Sequence, residues 1–220
     1  MNSENASSDR ISEAPKPVVS RLSLYLRELQ HLVRDGLETT SSTRLGSLLG
    51  FTDAQVRKDL AYFGQFGYPG VGYRCEELVH EIKRILGTDR AWPVVMVGAG
   101  NLGRALLKYK GFQQQGFHVV VAIDVDETKV GLTIDGIPIV HLDQLPEIVK
   151  QKEIRLAILA VPSSEAQLVA DRLVMAGIEG ILNFAPVTVS VPKQVNLKGV
   201  DLAIQLEQLS FAVLSGKDKS

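Results

Sequence analysis

The chain holds one cysteine, Cys75, in 220 residues. That excludes an intramolecular disulfide framework and points to a reducing, cytoplasmic setting. No run comes near the roughly 18–20 continuous apolar residues of a membrane span, and the N-terminus lacks the apolar core of a signal peptide. A soluble protein without a membrane partner is expected. Charge of one sign is not in excess either: the net charge is −1, so any nucleic-acid surface is local. His31, His80, His118 and His141 are scattered and form no recognisable metal-binding or catalytic constellation. Neither a metal nor a catalytic residue is expected. For Cys75 a buried structural thiol and a redox-active one both stay open.

What is present divides the chain into a flexible tail (1–19), a first domain (20–91), a second domain (92–200) and a last segment of helix and tail (201–220). Residues 1–19 are rich in Ser, Asn, Glu and Pro, with little to bury. From Ser20, an N-cap candidate, Leu22, Tyr25, Leu26, Leu29, Leu32 and Val33 recur at helical steps up to Gly36. Ser41-Ser42-Thr43 caps a short helix that stops at Gly50. Thr52-Asp53-Ala54-Gln55 then reads as a capping box, in which the Thr52 hydroxyl accepts from the third helical residue and Gln55 reaches back to the cap.

Two short helices joined by a glycine turn make a helix-turn-helix whose second member enters the major groove. The stretch Gly64 to Tyr73, with four glycines, a proline and interleaved aromatics, suggests a β-hairpin wing. Ser42, Thr43, Arg44, Thr52, Gln55, Arg57, Lys58 and Tyr62 from the helices, with Tyr68 and Gly70 from the wing, are the candidate DNA-binding residues. The competing reading is a small helical dimerisation or substrate domain, with Arg57 and Lys58 a solvated face.

Val94-Val95-Met96-Val97 runs into Gly98-Ala99-Gly100-Asn101-Leu102-Gly103, and a second apolar run, Val119 to Ile123, ends in Asp124, about 20 residues past the last glycine. This is the dinucleotide fingerprint: glycines for the turn, for close approach of backbone to pyrophosphate and for helix packing, and a carboxylate for the adenosine ribose. Asp124 favours NAD(H) over its 2′-phosphorylated counterpart. Strands at 156–161 and 181–184, alternating with helices, mean an α/β doubly wound parallel sheet. Val161, Pro162, Asn183, Phe184 and Ala185 lie at the strands' carboxyl ends and are candidates for the nicotinamide side. The last helix, about Asp201 to Leu214, is apolar around much of its circumference. It inserts into a second subunit or packs on its own domain.

Three stretches, Gln55-Val56-Arg57-Lys58-Asp59-Leu60-Ala61-Tyr62-Phe63-Gly64, Gly70-Val71-Gly72-Tyr73 and Gly180-Ile181-Leu182-Asn183-Phe184-Ala185-Pro186, taken with the fingerprint, resemble the Rex family of bacterial redox-sensing transcriptional repressors. The resemblance runs from about Ser20 to Leu214. It implies a homodimer with exchanged C-terminal helices, winged helices on a palindromic operator in double-stranded DNA, and a Rossmann domain holding NADH or NAD+. NADH releases the DNA, so the protein responds to the NADH/NAD+ ratio. Arg21, Tyr109 and Asp201 match positions that couple domain orientation to cofactor state.

An apolar pocket near Val161, Pro162, Phe184 and Leu202 would prefer the neutral reduced ring over the cationic one, because an unpaired charge is costly to desolvate. Two alternatives from other classes are a small NAD-dependent oxidoreductase and a regulatory module for CoA or another nucleotide.

Overall fold

The computed structural model describes residues 14–216, so the expected tails at 1–13 and 217–220 lie outside the described residues. The chain divides into two compact units, residues 1–90 and 91–220.

In the first unit, helix α1 covers Lys16–Arg34 and starts before Ser20, so the tail expected over 1–19 does not extend past residue 15. The reason is Pro15-Lys16-Pro17: Pro15 is extended and forms the N-cap, and a proline in a first turn gives up an N–H that had no helical partner anyway. Strand β1 (Thr39–Thr40) leads to α2 (Ser42–Leu49), capped by Ser41, whose hydroxyl accepts from Arg44 N–H at 3.1 Å. Helix α3 (Asp53–Phe63) follows a tight turn at Gly50. The wing closes where Tyr68 and Gly72 exchange backbone hydrogen bonds at 2.7 and 3.0 Å, and strand β2 (Tyr73–Arg74) then pairs antiparallel with β1. Helix α4 (Cys75–Leu86) ends the unit. Leu22, Tyr25 and Leu29 of α1 meet Leu45, Val56, Leu60, Leu78 and Ile82 in one core. Each such fully buried side chain contributes about 1.5–3 kcal/mol.

The second unit runs β3 (Trp92–Val97), α5 (Asn101–Leu107), α6 (Gly111–Gln114), β4 (Phe117–Asp124), β5 (Thr133–Ile134), β6 (Ile137–His141), a 3-10 turn (Leu142–Gln144), α7 (Leu145–Gln151), β7 (Leu156–Leu159), α8 (Ser163–Met175), β8 (Gly180–Asn183), β9 (Asn196–Gly199) and α9 (Leu202–Gly216). The sheet order is β5-β6-β4-β3-β7-β8-β9, parallel except for β5. Alternate residues of β3 serve different cores: Val95 and Val97 pack with α7 and α8, while Val94 and Met96 pack with Leu107 of α5. A strand covered on both faces has to be apolar throughout, as the valine-rich run is.

From β3 the chain proceeds outward to β4 and β6, then crosses back to β7 on the other side of β3. That reversal opens a crevice beyond the carboxyl ends of β3 and β7. The β5–β6 hairpin and β9 were not anticipated, and β7 stops at Leu159, leaving Val161 and Pro162 as the lead into α8. Leu202, Leu206, Leu209, Phe211 and Leu214 of α9 are all exposed. Among the described residues no helix is long and apolar enough to cross a membrane.

Candidate nucleotide site and nucleic-acid interface

The crevice at the switch point has a volume of about 520 Å³ and is lined by Gly98, Gly100, Asp124, Lys129, Val161 and Pro162, among others. Two of the fingerprint glycines are required by the protein itself. Gly98 has φ +99°, and a Cβ there would lie 2.3 Å from the Ala160 carbonyl oxygen. A Cβ on Gly103 would lie 1.8 Å from the Gly98 carbonyl oxygen, so α5 could not close on the turn. Gly100 differs: a Cβ there would meet nothing within 4 Å. No intramolecular contact accounts for it, and the clearance it leaves fits backbone approach to a pyrophosphate. Asn101 and Leu102 begin α5 with exposed side chains.

Asp124 ends β4 nearly buried, and its position ties the carboxylate to the glycine turn. Its Oδ2 accepts from Ala99 N–H at 2.8 Å and from Lys129 Nζ at 3.3 Å, and its Oδ1 accepts from Asp126 N–H at 3.0 Å. Burial pushes this carboxyl up, but the N–H groups of Asp126 and Ala99 and the Lys129 ammonium outweigh it and hold it below the ordinary range. An ionised acceptor beside an open crevice fits the hydroxyls of a ribose. Lys129 escaped the sequence reading; an ammonium five residues past the strand-end carboxylate, in Asp-x-Asp-x-x-Lys, was the available signal.

The expected single pocket of Val161, Pro162, Phe184 and Leu202 is not assembled. Val161 and Pro162 follow β7, the neighbour of β3, and so share the crevice with Asp124. Asn183 ends β8, one strand further out, and with the following Ala185 lines a second hollow of about 610 Å³ shared with Val187, Asp201 and Ile204. Phe184 turns back against the core that holds Met96, and Leu202 stands exposed. The Asn183 side chain is spent on its own loop: Nδ2 donates to the carbonyls of Ala185 and Val187, and Oδ1 accepts from Ala185 N–H. It shapes the hollow.

Asp201 lies in the same hollow and caps α9, accepting from Ala203 and Ile204 N–H at 2.9 and 3.2 Å. Tyr109 lines a different, smaller cavity and packs edge-on to Phe112. Cys75 is fully buried and burial pushes its thiol up, which suits the structural role.

In the first unit, Thr52 caps α3 by accepting from Gln55 N–H at 3.1 Å, but the second half of the capping box does not form. Gln55 Nε2 donates instead to Asp59 Oδ1 at 2.7 Å, drawn by a buried carboxylate one helical turn on. Arg21 and the Tyr25 hydroxyl also converge on Asp59, so Arg21 is a tie between α1 and α3 within this unit. Asp59 was missed as an organising residue; its (i, i+4) spacing from Gln55 was the signal.

Arg57 is exposed and oriented from two sides, with Nη1 2.7 Å from Asp53 Oδ2 and 3.1 Å from Ser42 Oγ. Ser42 is thereby buried as a support for Arg57, while Thr43, Arg44 and Lys58 are open to solvent. Tyr62 lies edge-on to Phe63. At the wing, the Tyr68 hydroxyl donates to Glu77 at 2.9 Å, the Arg74 guanidinium sits 5.0 Å from the Tyr68 ring centre, and Gly70 forms the exposed tip. The exposed Arg57 and Lys58 of α3 and the exposed glycine tip of the wing are groups of the kind that contact phosphates and base edges.

Comparison with known proteins agrees with this geometry. A family model described as a putative DNA-binding protein N-terminus matches residues 13–61, and one described as a CoA binding domain matches residues 89–187. The redox-sensing transcriptional repressor Rex of Syntrophobacter fumaroxidans is 46% identical over 94% of this chain and 99% of its own length. That of Carboxydothermus hydrogenoformans is 48% identical over 90% of this chain and 96% of its own. Among solved structures, RSP in complex with beta-NAD+ and operator DNA superimposes with a TM-score of 0.87 at 35% identity, covering 93% of this chain and 94% of that one. RSP in complex with beta-NADH gives 0.84 at 33%, covering 93% and 96%. With a helix-turn-helix and wing in one unit, a dinucleotide turn in the other, and relatives this similar along nearly the whole length, the chain belongs to the Rex family of redox-sensing transcriptional repressors.

Proposed function

We propose that this protein binds a palindromic operator in double-stranded DNA as a homodimer, holds NADH or NAD+ in its second unit, and leaves the DNA when NADH binds. One observation carries the reading: Gly98 and Gly103 are forced by the fold and Gly100 is not, beside an ionised Asp124, in the same chain as a helix that presents Arg57. The solved relatives in complex with operator DNA and with each form of the coenzyme support it. The role is regulatory, in the cytoplasm, and uses no catalytic residue.

Residues 98 to 103 hold the pyrophosphate, Asp124 orients the adenosine ribose, and Val161 and Pro162 wall the adenosine end. The hollow at Asn183 and Ala185 takes the nicotinamide, and Phe184 backs the loop. The coenzyme supplies a ring that is cationic when oxidised and neutral when reduced. The hollow's Ala185, Val187 and Ile204 favour the neutral form, because burying a charge is costly, and the Asp201 carboxylate in the same hollow is engaged by the Ala203 and Ile204 N–H groups at the start of α9 and not by the ring. Arg57 and Lys58 of α3, the exposed Thr43 and Arg44, and the wing at Tyr68 and Gly70 contact DNA; Ser42, Thr52, Gln55 and Tyr62 hold that surface in shape. The apolar, exposed α9 joins the two subunits. Tyr109 and Asp201 couple the nucleotide site to the dimer, and Arg21 acts from within the first unit.

The test is fluorescence anisotropy of a labelled duplex carrying an inverted repeat, selected on the protein from a randomised pool. Saturating NADH should release the DNA and NAD+ should not, for which a differential of roughly 3–5 kcal/mol suffices. Unchanged affinity with NADH would sink the reading. The match to a CoA binding domain favours a second reading, a CoA-responsive regulator. Asp124 and Asp126 disfavour the phosphorylated ribose of CoA. Displacement of bound NADH by CoA would support that alternative.

A further inference from the structure

The Lys129 ammonium lies 3.3 Å from Asp124 Oδ2 and 3.2 Å from Asp126 Oδ2, and all three residues line the crevice. The turn after β4 places it there: Asp126 N–H donates to Asp124, Thr128 donates to Asp126 Oδ1 through N–H and hydroxyl, and Lys129 N–H donates to the Asp126 carbonyl. A carboxylate accepts about four hydrogen bonds. Asp124 spends one on Ala99 N–H, one on Asp126 N–H and one on Lys129. A single acceptor position is left for a ribose diol that brings two hydroxyls. Of these donors Lys129 alone sits on a flexible side chain, so it can turn to the sugar and keep Asp126 as its counter-ion.

We propose that Lys129 determines specificity at the adenosine end: its ammonium donates to one ribose hydroxyl while Asp124 accepts from the diol, and Asp126 supplies the negative charge that turns away a phosphorylated ribose. The proposal rests on the NAD(H) reading above. With Lys129 in place the three side chains sum to one negative charge. Losing it leaves two carboxylates facing the sugar, whereas neutralising Asp126 leaves a balanced pair beside an incoming 2′-phosphate.

Binding of NADH and NADPH to the full-length protein, read from their intrinsic fluorescence, tests this. Lys129→Met should weaken NADH about tenfold and NADPH by about threefold more than that, since a hydrogen bond to a charged group is lost and repulsion is added. Lys129→Arg should bring NADH back to within about threefold of wild type. Asp126→Asn should narrow the gap between NADPH and NADH. A Lys129→Met protein that binds NADH like wild type, or loses both nucleotides by one common factor as a mere brace would, overturns the proposal. Should Lys129→Met fail to fold, an unchanged NADPH-to-NADH ratio in Asp126→Asn overturns it by itself. Wild-type protein that takes neither dinucleotide overturns the NAD(H) reading as well; wild-type protein that takes NADH beside variants with unchanged selectivity overturns this proposal alone.

Discussion

Arg21 of α1 and Asp59 of α3 form a two-pronged pair, Nε to Oδ2 at 2.5 Å and Nη2 to Oδ1 at 2.8 Å, with the carboxylate buried. Tyr25 and Gln55 complete the set of donors around it. Removing the acceptor strands three donors at once, one of them charged. Asp59→Ala should cost the first unit about 3 kcal/mol, checked by urea unfolding followed by circular dichroism.

The same carboxylate makes the first unit acid-sensitive. Burial pushes the Asp59 carboxyl up, but donors from Arg21, Tyr25 and Gln55 outweigh it and hold it low. Its contribution is therefore complete above the unfolded carboxyl's range, about pH 4, and disappears as pH falls through the lower folded value. The difference between the unfolding midpoints of wild type and Asp59→Asn should be full at about pH 7 and shrink steadily as pH is lowered below about 4.

The fingerprint glycines should separate stability from binding. Gly103→Ala sets a Cβ against the Gly98 carbonyl and should destabilise the second unit by at least about 2 kcal/mol, seen as a lower thermal midpoint. Gly100→Ala meets no protein atom, so stability should hold within about 0.5 kcal/mol while NADH affinity falls tenfold or more, measured by calorimetry.

Arg57→Ala should weaken operator binding by about 1–3 kcal/mol and leave NADH affinity unchanged. Ser42→Ala, which removes a hydroxyl 3.1 Å from the guanidinium, should act in the same direction and more weakly. Anisotropy titrations at a fixed salt concentration measure both. Equal affinity of Arg57→Ala and wild type would mean another residue reads the bases.

Helix α9 exposes Leu206 and Leu209 on a surface with almost no charge. Placing a carboxylate on it should break the dimer. Leu209→Asp should sediment as a monomer at micromolar concentration and lose operator affinity, since one half-site supplies only part of the contact.

What could be read from the sequence was local in origin. The positive φ of Gly98 and the helix-turn-helix caps at Ser41 and Thr52 show in the residue types, and the caps depend on neighbours within four residues. The apolar β3 and β4 runs report burial on both faces. Most of what escaped depends on distant partners. Gln55 looked like the second half of a capping box because nothing in the sequence says that Asp59 is buried against Arg21, 38 positions earlier. Pro15 and Pro17 looked like tail, although prolines also open helices. The β5–β6 hairpin and the polar Asn196–Gly199 strand take their form from neighbouring strands rather than from their own composition. Separation of Val161 from Asn183 follows from strand order, which no single segment encodes.

The hydrogen bond from Ala99 to Asp124 joins the carboxylate proposed for the sugar and the turn proposed for the phosphates into one preformed unit. Such a unit spends little binding energy on ordering itself, and it closes on a half of the coenzyme that is chemically the same in both oxidation states. The two states therefore crowd each other out. As long as the site stays saturated, enlarging or shrinking the whole pyridine-nucleotide pool in proportion leaves occupancy by each species where it was, and only a change in their ratio is felt.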